Sequence, residues 1–351
     1  MTFSLYRASR SARLTVTVPD GSTVVVENLR NNEGFRLAFD ATRTMDENPG
    51  EFRVSAWNLP PDALAAINAA QVRSVDDLDA MLVDATLGPT VAADGTDALA
   101  AGFAIVELEA GYDGHVSRVF RAIGASCSTD TADGDTTFIT TLIAAEDLDG
   151  QLLGYPSATF LAGTPTIEVL TTLRQAAGLG PGNATPAQMM ALLGDSRIDA
   201  PYHVSGGQAI ERIRSLLQYL RLRWFVDDRE LWLCGRDEVP TPGGVPPWIV
   251  DEVGELDLLK GRPSLVDGGR VRLTTLLTPS LKVGRLVNLT EGGLSLYAQG
   301  LAPSVAQIVR AQVKPGLYRL DAVTHAGDTG DTGDNWSSVL TLRPTVGIAA
   351  P

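Results

Sequence analysis

The chain is poor in the side chains that most often carry chemistry. Its 351 residues include only 3 histidines and 2 cysteines. His115, His203 and His325 lie far apart, none with a second ligand at helical or hairpin spacing, so no metal centre is expected and no cofactor. Cys127 and Cys234 lack C-x-x-C spacing and sit in strand-like surroundings, which reads as buried thiols rather than a disulfide framework or a zinc site. Long apolar runs are also missing: no stretch approaches the about 18 residues of a membrane span. The opening MTFSLYRASRSARLTV has no apolar centre of the signal-peptide kind. The expectation is a protein made and folded in a cytoplasm, with no membrane insertion and no export.

Positive charge is the third shortage. Lysine and arginine number 28 against 42 acids, for a net charge of -14. Proteins bind nucleic acid by displacing counterions with a basic patch, and the sequence shows none, so no specific nucleic-acid binding is expected. Arginines do gather at Arg7, Arg10 and Arg13, and at Arg212, Arg214, Arg221 and Arg223. Both groups are interleaved with apolar residues, as solvated or interface-facing side chains would be.

What the chain has is period-two alternation, interrupted once. RLTVTVPDGSTVVVENL places two apolar runs around a Pro19-Asp20-Gly21-Ser22 turn, and FRLAFDATR and EFRVSAWNL follow with the same period. From residue 60 to 100 the period changes. Pro60 and Pro61 suit a helix start, and Ser74 with Asp77 resembles a capping arrangement, so short helices are expected there. Strands resume with FAIVELEAGYDGHVSRVFRAIGASCS and DTTFITTLIAAED, with turns at Gly111 to Gly114 and at Asp133-Gly134. Residues 1–155 therefore read as one β domain with a helical excursion.

Residues 156–240 differ. PTIEVLTTLRQAAGLG is a helix closed by Gly178, and TPAQMMALLG is a second, shorter one. SGGQAIERIRSLLQYLRLRW carries Ile210, Ile213, Leu217 and Leu220 on one face, with Ser205 and Gln208 in a capping-box pattern. An Asp227-Asp228-Arg229 turn then joins two Trp-bearing strands. The four prolines of residues 236–250 mark a connection, and residues 241–351 return to β alternation. The predicted class is α+β, mainly β, with a smaller α/β region between two β units.

The motifs that would make an enzyme fail their own tests. GASCS at 124–128 is not G-x-S-x-G, and no acid–His pair stands near it. GLGPG at 178–182 ends a helix, whereas a dinucleotide fingerprint opens one. Asp147 and Asp149 are close in sequence, but no aromatic sugar-binding groove accompanies them. The stutter GDTGDTGDN offers Asp328, Asp331 and Asp334 as calcium ligands. An EF-hand loop, however, alternates ligands at every second residue and ends on an acid, whereas here the spacing is three and the twelfth position is Val339. Asp and Gly are common turn formers, so the stutter reads as a hairpin loop. Catalytic, cofactor-binding and metal residues are all expected to be none.

Several short patterns run in order along the chain: Asn58-Leu59, Ala110-Gly111-Tyr112, Val119-Phe120, Leu276-Leu277-Pro279, Gly284-Arg285-Val287, His325-Gly327-Asp328 and Trp336. Together they resemble phage tail baseplate central hub proteins, the Mu-type and T-even-type hub family of contractile tails. The helix and Trp hairpin of residues 202–233 also look like the family's middle segment. Two departures stand out: Arg121-Ala122 where a glycine usually follows the Phe, and the length of the 60–100 excursion. The resemblance implies a homotrimeric virion protein with two tube-protein-like β-barrel domains flanking the middle region. It would join the six-fold tail tube, or a tube-adaptor ring, to the three-fold central spike, and contact baseplate wedge proteins. DNA would pass through its lumen, where acid excess on the wall would repel it. A distal tail protein of a non-contractile phage, the hub of a phage-like injection particle and a tail-associated cell-wall hydrolase are the alternatives.

Overall fold

The computed structural model describes residues 9–18, 20–30, 33–45, 50–69, 104–132, 137–145, 157–182, 186–205, 208–235, 250–253, 264–266, 270–289, 315–330 and 335–345. The first part supplies β1 (Arg10–Thr17), β2 (Thr23–Arg30), β3 (Glu33–Gly34), β4 (Leu37–Thr44), β5 (Glu51–Trp57), α1 (Pro61–Ala69), β6 (Ile105–Tyr112), β7 (His115–Ala132) and β8 (Thr137–Ala145). The middle holds β9 (Ser157–Phe160), α2 (Thr166–Ala176), α3 (Pro186–Leu193), β10 (Tyr202–Ser205), α4 (Ala209–Tyr219), β11 (Leu222–Asp227) and β12 (Glu230–Gly235). The last part adds β13 (Val250–Val253), β14 (Ser264–Val266), β15 (Arg270–Leu276), β16 (Leu286–Leu289), β17 (Gly316–Asp328) and β18 (Ser337–Pro344).

The mainly β class holds, but the two ends of the chain are not separate sheets. A single path runs β14-β15-β18-β17-β4-β5-β8-β7-β6-β1-β2-β3, and among the described residues it does not close into a barrel. The joint is β17. Its first residues, Gly316 to Arg319, pair with β16, and from Ala322 to Asp328 it pairs with β4. The change of partner coincides with a register shift at Asp321 against β18. A bulge re-aims a strand by inserting one extra residue, so this one lets a 13-residue strand serve two neighbours in turn.

Alternation explains most of the sheet. β1 reads in and out along RSARLTVT, with Ala12, Leu14 and Val16 buried on one face. Those residues join Phe39, Phe52, Val54, Leu108 and Phe120 in one core, where Phe52 and Phe120 stack at 4.3 Å. Trp336 and Leu277, from the far end of the chain, complete that core. A second core lies wholly in the middle region, and a third in the last part also takes in Met45, Phe225 and Cys234. Each large apolar side chain so buried contributes about 1.5–3 kcal/mol, and the exchanged residues make the cores mutually dependent. β7 continues straight through Arg121-Ala122, and its register shifts fall instead beside Val119 and Ala125.

The middle region corrects one local expectation. Ser205 does not cap the helix: it ends β10, and α4 starts after Gln208, which makes no side-chain cap hydrogen bond. Ser205 instead pairs with Ser157 in the β10–β9 ladder, and Gln208 takes the N-cap position. The buried face of α4 is as expected, with Ile210, Ile213 and Leu217 inside. Gly178, at φ +67, closes α2, its N–H donating to Gln175 O while Leu179 N–H donates to Arg174 O. That is a Schellman ending. The excursion is described only as far as α1; Ser74, Asp77, the Asp133-Gly134 turn and the proline-rich 236–249 lie outside the described residues.

Candidate functional site

The stutter is the loop of the β17–β18 hairpin, since those strands pair antiparallel on either side of it. Both oxygens of its first aspartate are held by protein partners. Asp328 receives Arg36 Nε at 3.0 Å on one oxygen and Arg36 Nη2 at 2.6 Å on the other. The Gly330 N–H donates to the first of these at 2.8 Å. Burial would raise the Asp328 carboxyl, but the hydrogen bonds from Arg36 and Gly330, with the charges of Arg36 and Arg10, hold it below its usual range. Arg36 lies over the Trp57 ring at 4.4 Å. Asp331 and Asp334, like Asp147 and Asp149, lie outside the described residues. Among the described residues no group of three metal-capable side chains occurs.

Beneath this hairpin the motif residues pack rather than react. A Cβ on Gly327 would come within 2.5 Å of the Phe39 ring and 2.6 Å of the Trp336 ring, so only glycine lets those aromatics meet edge to face at 5.5 Å. His325 is buried, with Nδ1 2.8 Å from Ser338 Oγ and Nε2 3.2 Å from Leu281 O. A carbonyl only accepts, so Nε2 carries the proton and Nδ1 accepts from Ser338, whose oxygen in turn accepts the Thr278 N–H at 2.9 Å. Burial, then the charges of Arg43 and Lys282, push the imidazole down to about 3, against a weaker opposing effect of the Leu281 carbonyl. It is a neutral pin between β17, β18 and the Thr278–Leu281 turn.

A second charged cluster went unseen in the sequence. The Asp228 and Arg229 positions of the β11–β12 turn have φ of +52 and +65, the two left-handed residues of a type I′ hairpin. The turn drives Asp227 and Asp228 against β4 and β7. Arg43 Nη2 donates to Asp228 at 2.7 Å, Arg43 Nη1 donates to Val119 O at 2.6 Å, and Arg43 Nε stands 3.1 Å from Asp227. Lys282 donates to Asp228, and Arg118 Nη2 lies 3.4 Å away. Burial alone would raise Asp228, yet Arg43, Lys282 and Arg118 outweigh it and its carboxyl is lowered. The cluster can hold the hairpin to the sheet: Asp227 and Asp228 both face cations, while burial and those two carboxylates raise the neighbouring Glu230.

The remaining expected residues are scattered. His115 begins β7 opposite Tyr112, and His203 in β10 bonds Thr159. Cys127 and Cys234 lie in strands and form no disulfide; Cys234 is buried as expected, whereas Cys127 is only half-buried, its Sγ 3.5 Å from Asn68 Oδ1. GASCS runs along the middle of β7, without the strand-to-helix turn a nucleophile would need. The GLGPG glycines serve docking: Gly180 N–H donates to Arg229 O, and Leu231 N–H donates to Gly180 O.

No family model and no curated protein matches the sequence. Solved structures do match over nearly the whole chain. The 43 kDa tail protein of prophage MuSo2 from Shewanella oneidensis is 10% identical, with a TM-score of 0.50 over 94% of this chain and 97% of that one. The chain has a phage tail-protein fold. A tail protein from Neisseria meningitidis MC58 also matches, at 10% identity and TM-score 0.44, over 95% of this chain and 96% of that one. So does an E. coli protein described as a type VI secretion component structurally similar to T4 tail proteins gp27 and gp5, at 9% identity and TM-score 0.44, covering 89% and 74%. In this tail-protein fold the short patterns sit at joints. Asn58, at φ +53, accepts the Phe138 N–H through Oδ1 and donates its own N–H to Phe138 O, which ends β5 against β8.

Proposed function

We propose that the chain is a structural protein of a phage tail baseplate, a trimeric hub that joins the tail tube to the central spike and lines the DNA channel. The observation that carries this reading is the end-to-end fold match to a prophage tail protein, 94% of one chain against 97% of the other. The parts are those of a frame: charged clusters and a neutral histidine that hold turns to strands, with no catalytic grouping among the described residues. Two β units, at residues 1–155 and 241–351, would curl into tube-like modules flanking the middle region, so that three chains present six such modules. Closed three-fold symmetry permits large shared interfaces, and the net charge of -14 would keep the lumen repellent to DNA. The protein would then be a virion component that is not an enzyme.

The test is the native mass of the purified chain, with negative-stain class averages of the same sample. A three-fold ring with a central hole is expected, either alone or on mixing with the tube and spike proteins of its particle. A chain that stays a compact monomer with those partners present would overturn the hub reading, and cell-wall hydrolysis would be assayed next.

A further inference from the structure

A cleft of about 590 Å³ opens where α4 and β11 face the joint strand. Its floor follows from sheet register: Arg272 pairs with Thr341, Thr341 with Ala322, and Ala322 with Thr44, one cross-strand rung over β15, β18, β17 and β4. Around that rung stand Arg214, Arg223, Arg270, Arg272 and Arg343, and the sole carboxylate among the described lining residues is Asp321. Asp321 is already shared, accepting from Arg319 Nε at 2.8 Å and Arg343 Nε at 2.7 Å. Arg214 also meets Glu211 at 2.6 Å on the helix surface. Arg223 and Arg272 thus add positive charge beyond these pairs, and among the described lining residues arginines outnumber carboxylates, in a chain whose acids outnumber its bases 42 to 28.

We propose that this arginine cleft binds an extended peptide segment rich in aspartate or glutamate, contributed by a partner chain. Guanidinium groups repel one another when gathered, and each is a planar fork that accommodates a carboxylate through two parallel hydrogen bonds. A bound run of carboxylates satisfies both conditions. The dimensions favour a peptide over a nucleic acid: the volume falls in the roughly 300–1,000 Å³ range of ligand pockets, enough for a few side chains rather than a duplex. The acidic remainder of the chain also repels a long polyanion. The inference goes beyond the baseplate reading and stands on the cleft alone.

The experiment is a titration of the full chain with a labelled oligoglutamate peptide, read by fluorescence anisotropy, with oligothymidylate as competitor. A net acidic protein should repel this probe everywhere else. The expected result is saturable binding that weakens with salt, resists the oligonucleotide, and falls roughly tenfold or more in Arg223→Gln/Arg272→Gln with thermal melting unchanged. Should that double variant melt early, Arg223→Gln alone serves, with a smaller expected loss. Absence of binding by the folded parent, binding unaffected by the substitutions, or displacement of the peptide by oligothymidylate would each overturn the proposal. None of these outcomes alters the native mass, so the hub reading is tested separately.

Discussion

Two arginine–aspartate clusters fasten turns of this chain to β4, and they differ chiefly in burial. Arg36, just before the strand, holds Asp328 of the last hairpin, with side-chain exposures of 45% and 13%. Arg43, near the strand's end, holds Asp227 and Asp228 of the middle hairpin, at 3%, 5% and 8%. The outer pair has near-ideal two-pronged geometry but faces water that competes for both partners. In the inner cluster Arg43, Asp227 and Asp228 are almost wholly out of water, and only the flanking Lys282 and Arg118 reach it. Its members depend on one another, because each ion removed strands a charge that solvent no longer reaches. Geometry alone would rank the two alike; dielectric surroundings make the inner one a fixed joint and the outer one a latch.

That contrast sets the largest prediction. Arg43→Ala takes from Asp227 and Asp228 the buried cation they share, and breaking such a buried cluster costs about 3–5 kcal/mol. Denaturant melting should show that loss, and a cost no larger than that of Asp328→Asn would mean burial is not what separates the clusters. The next effect is in pH. His325 is held at about 3 against an ordinary 6.5, so the unfolded chain binds a proton that the folded one refuses. Its stabilisation is complete above 6.5 and drains as pH falls towards 3, at about 1.4 kcal/mol per pH unit. Between 6.5 and about 4.5, above the usual carboxylate range, this slope should dominate the unfolding curve. His325→Asn should flatten it there even if the variant is less stable throughout.

Local features were legible in the sequence and remote ones were not. The alternation of β1, the glycine ending of α2, the apolar face of α4 and the turn at Asp227-Asp228-Arg229 each depend on neighbours a few residues away. The hairpin at the stutter was legible for the same reason. By contrast, Arg43, Asp228, Lys282 and Arg118 come from four distant segments, and no spacing rule announces that they meet. The fusion of both β units through β17 and β4 was hidden likewise, because an alternating strand shows which face is buried but not which neighbour it pairs with. The failed cap at Ser205 is the reverse case: a local pattern was present, and the pairing of β10 with β9 overrode it.

The outer latch gives the two smaller effects, and they invert the expectation that its charges matter most. Gly327→Ala adds one methyl group where Phe39 and Trp336 already close the space, and overpacking of this kind costs about 1–3 kcal/mol. Asp328→Asn removes a charge from a pair that is open to solvent on one side and should cost about 1 kcal/mol or less. Its sign with pH is also fixed. The folded carboxyl lies below its usual range, so its contribution is present above the ordinary carboxylate pKa and disappears as pH falls through the lowered one. The variant should therefore lose stability at neutral pH and match the parent once the parent's Asp328 carboxyl is protonated. Added calcium should shift the melting of neither protein, because Arg36 and Gly330 already occupy the Asp328 oxygens. A chelator-sensitive shift in the parent alone would turn the latch into a metal loop, and the two clusters would then differ in chemistry as well as in burial.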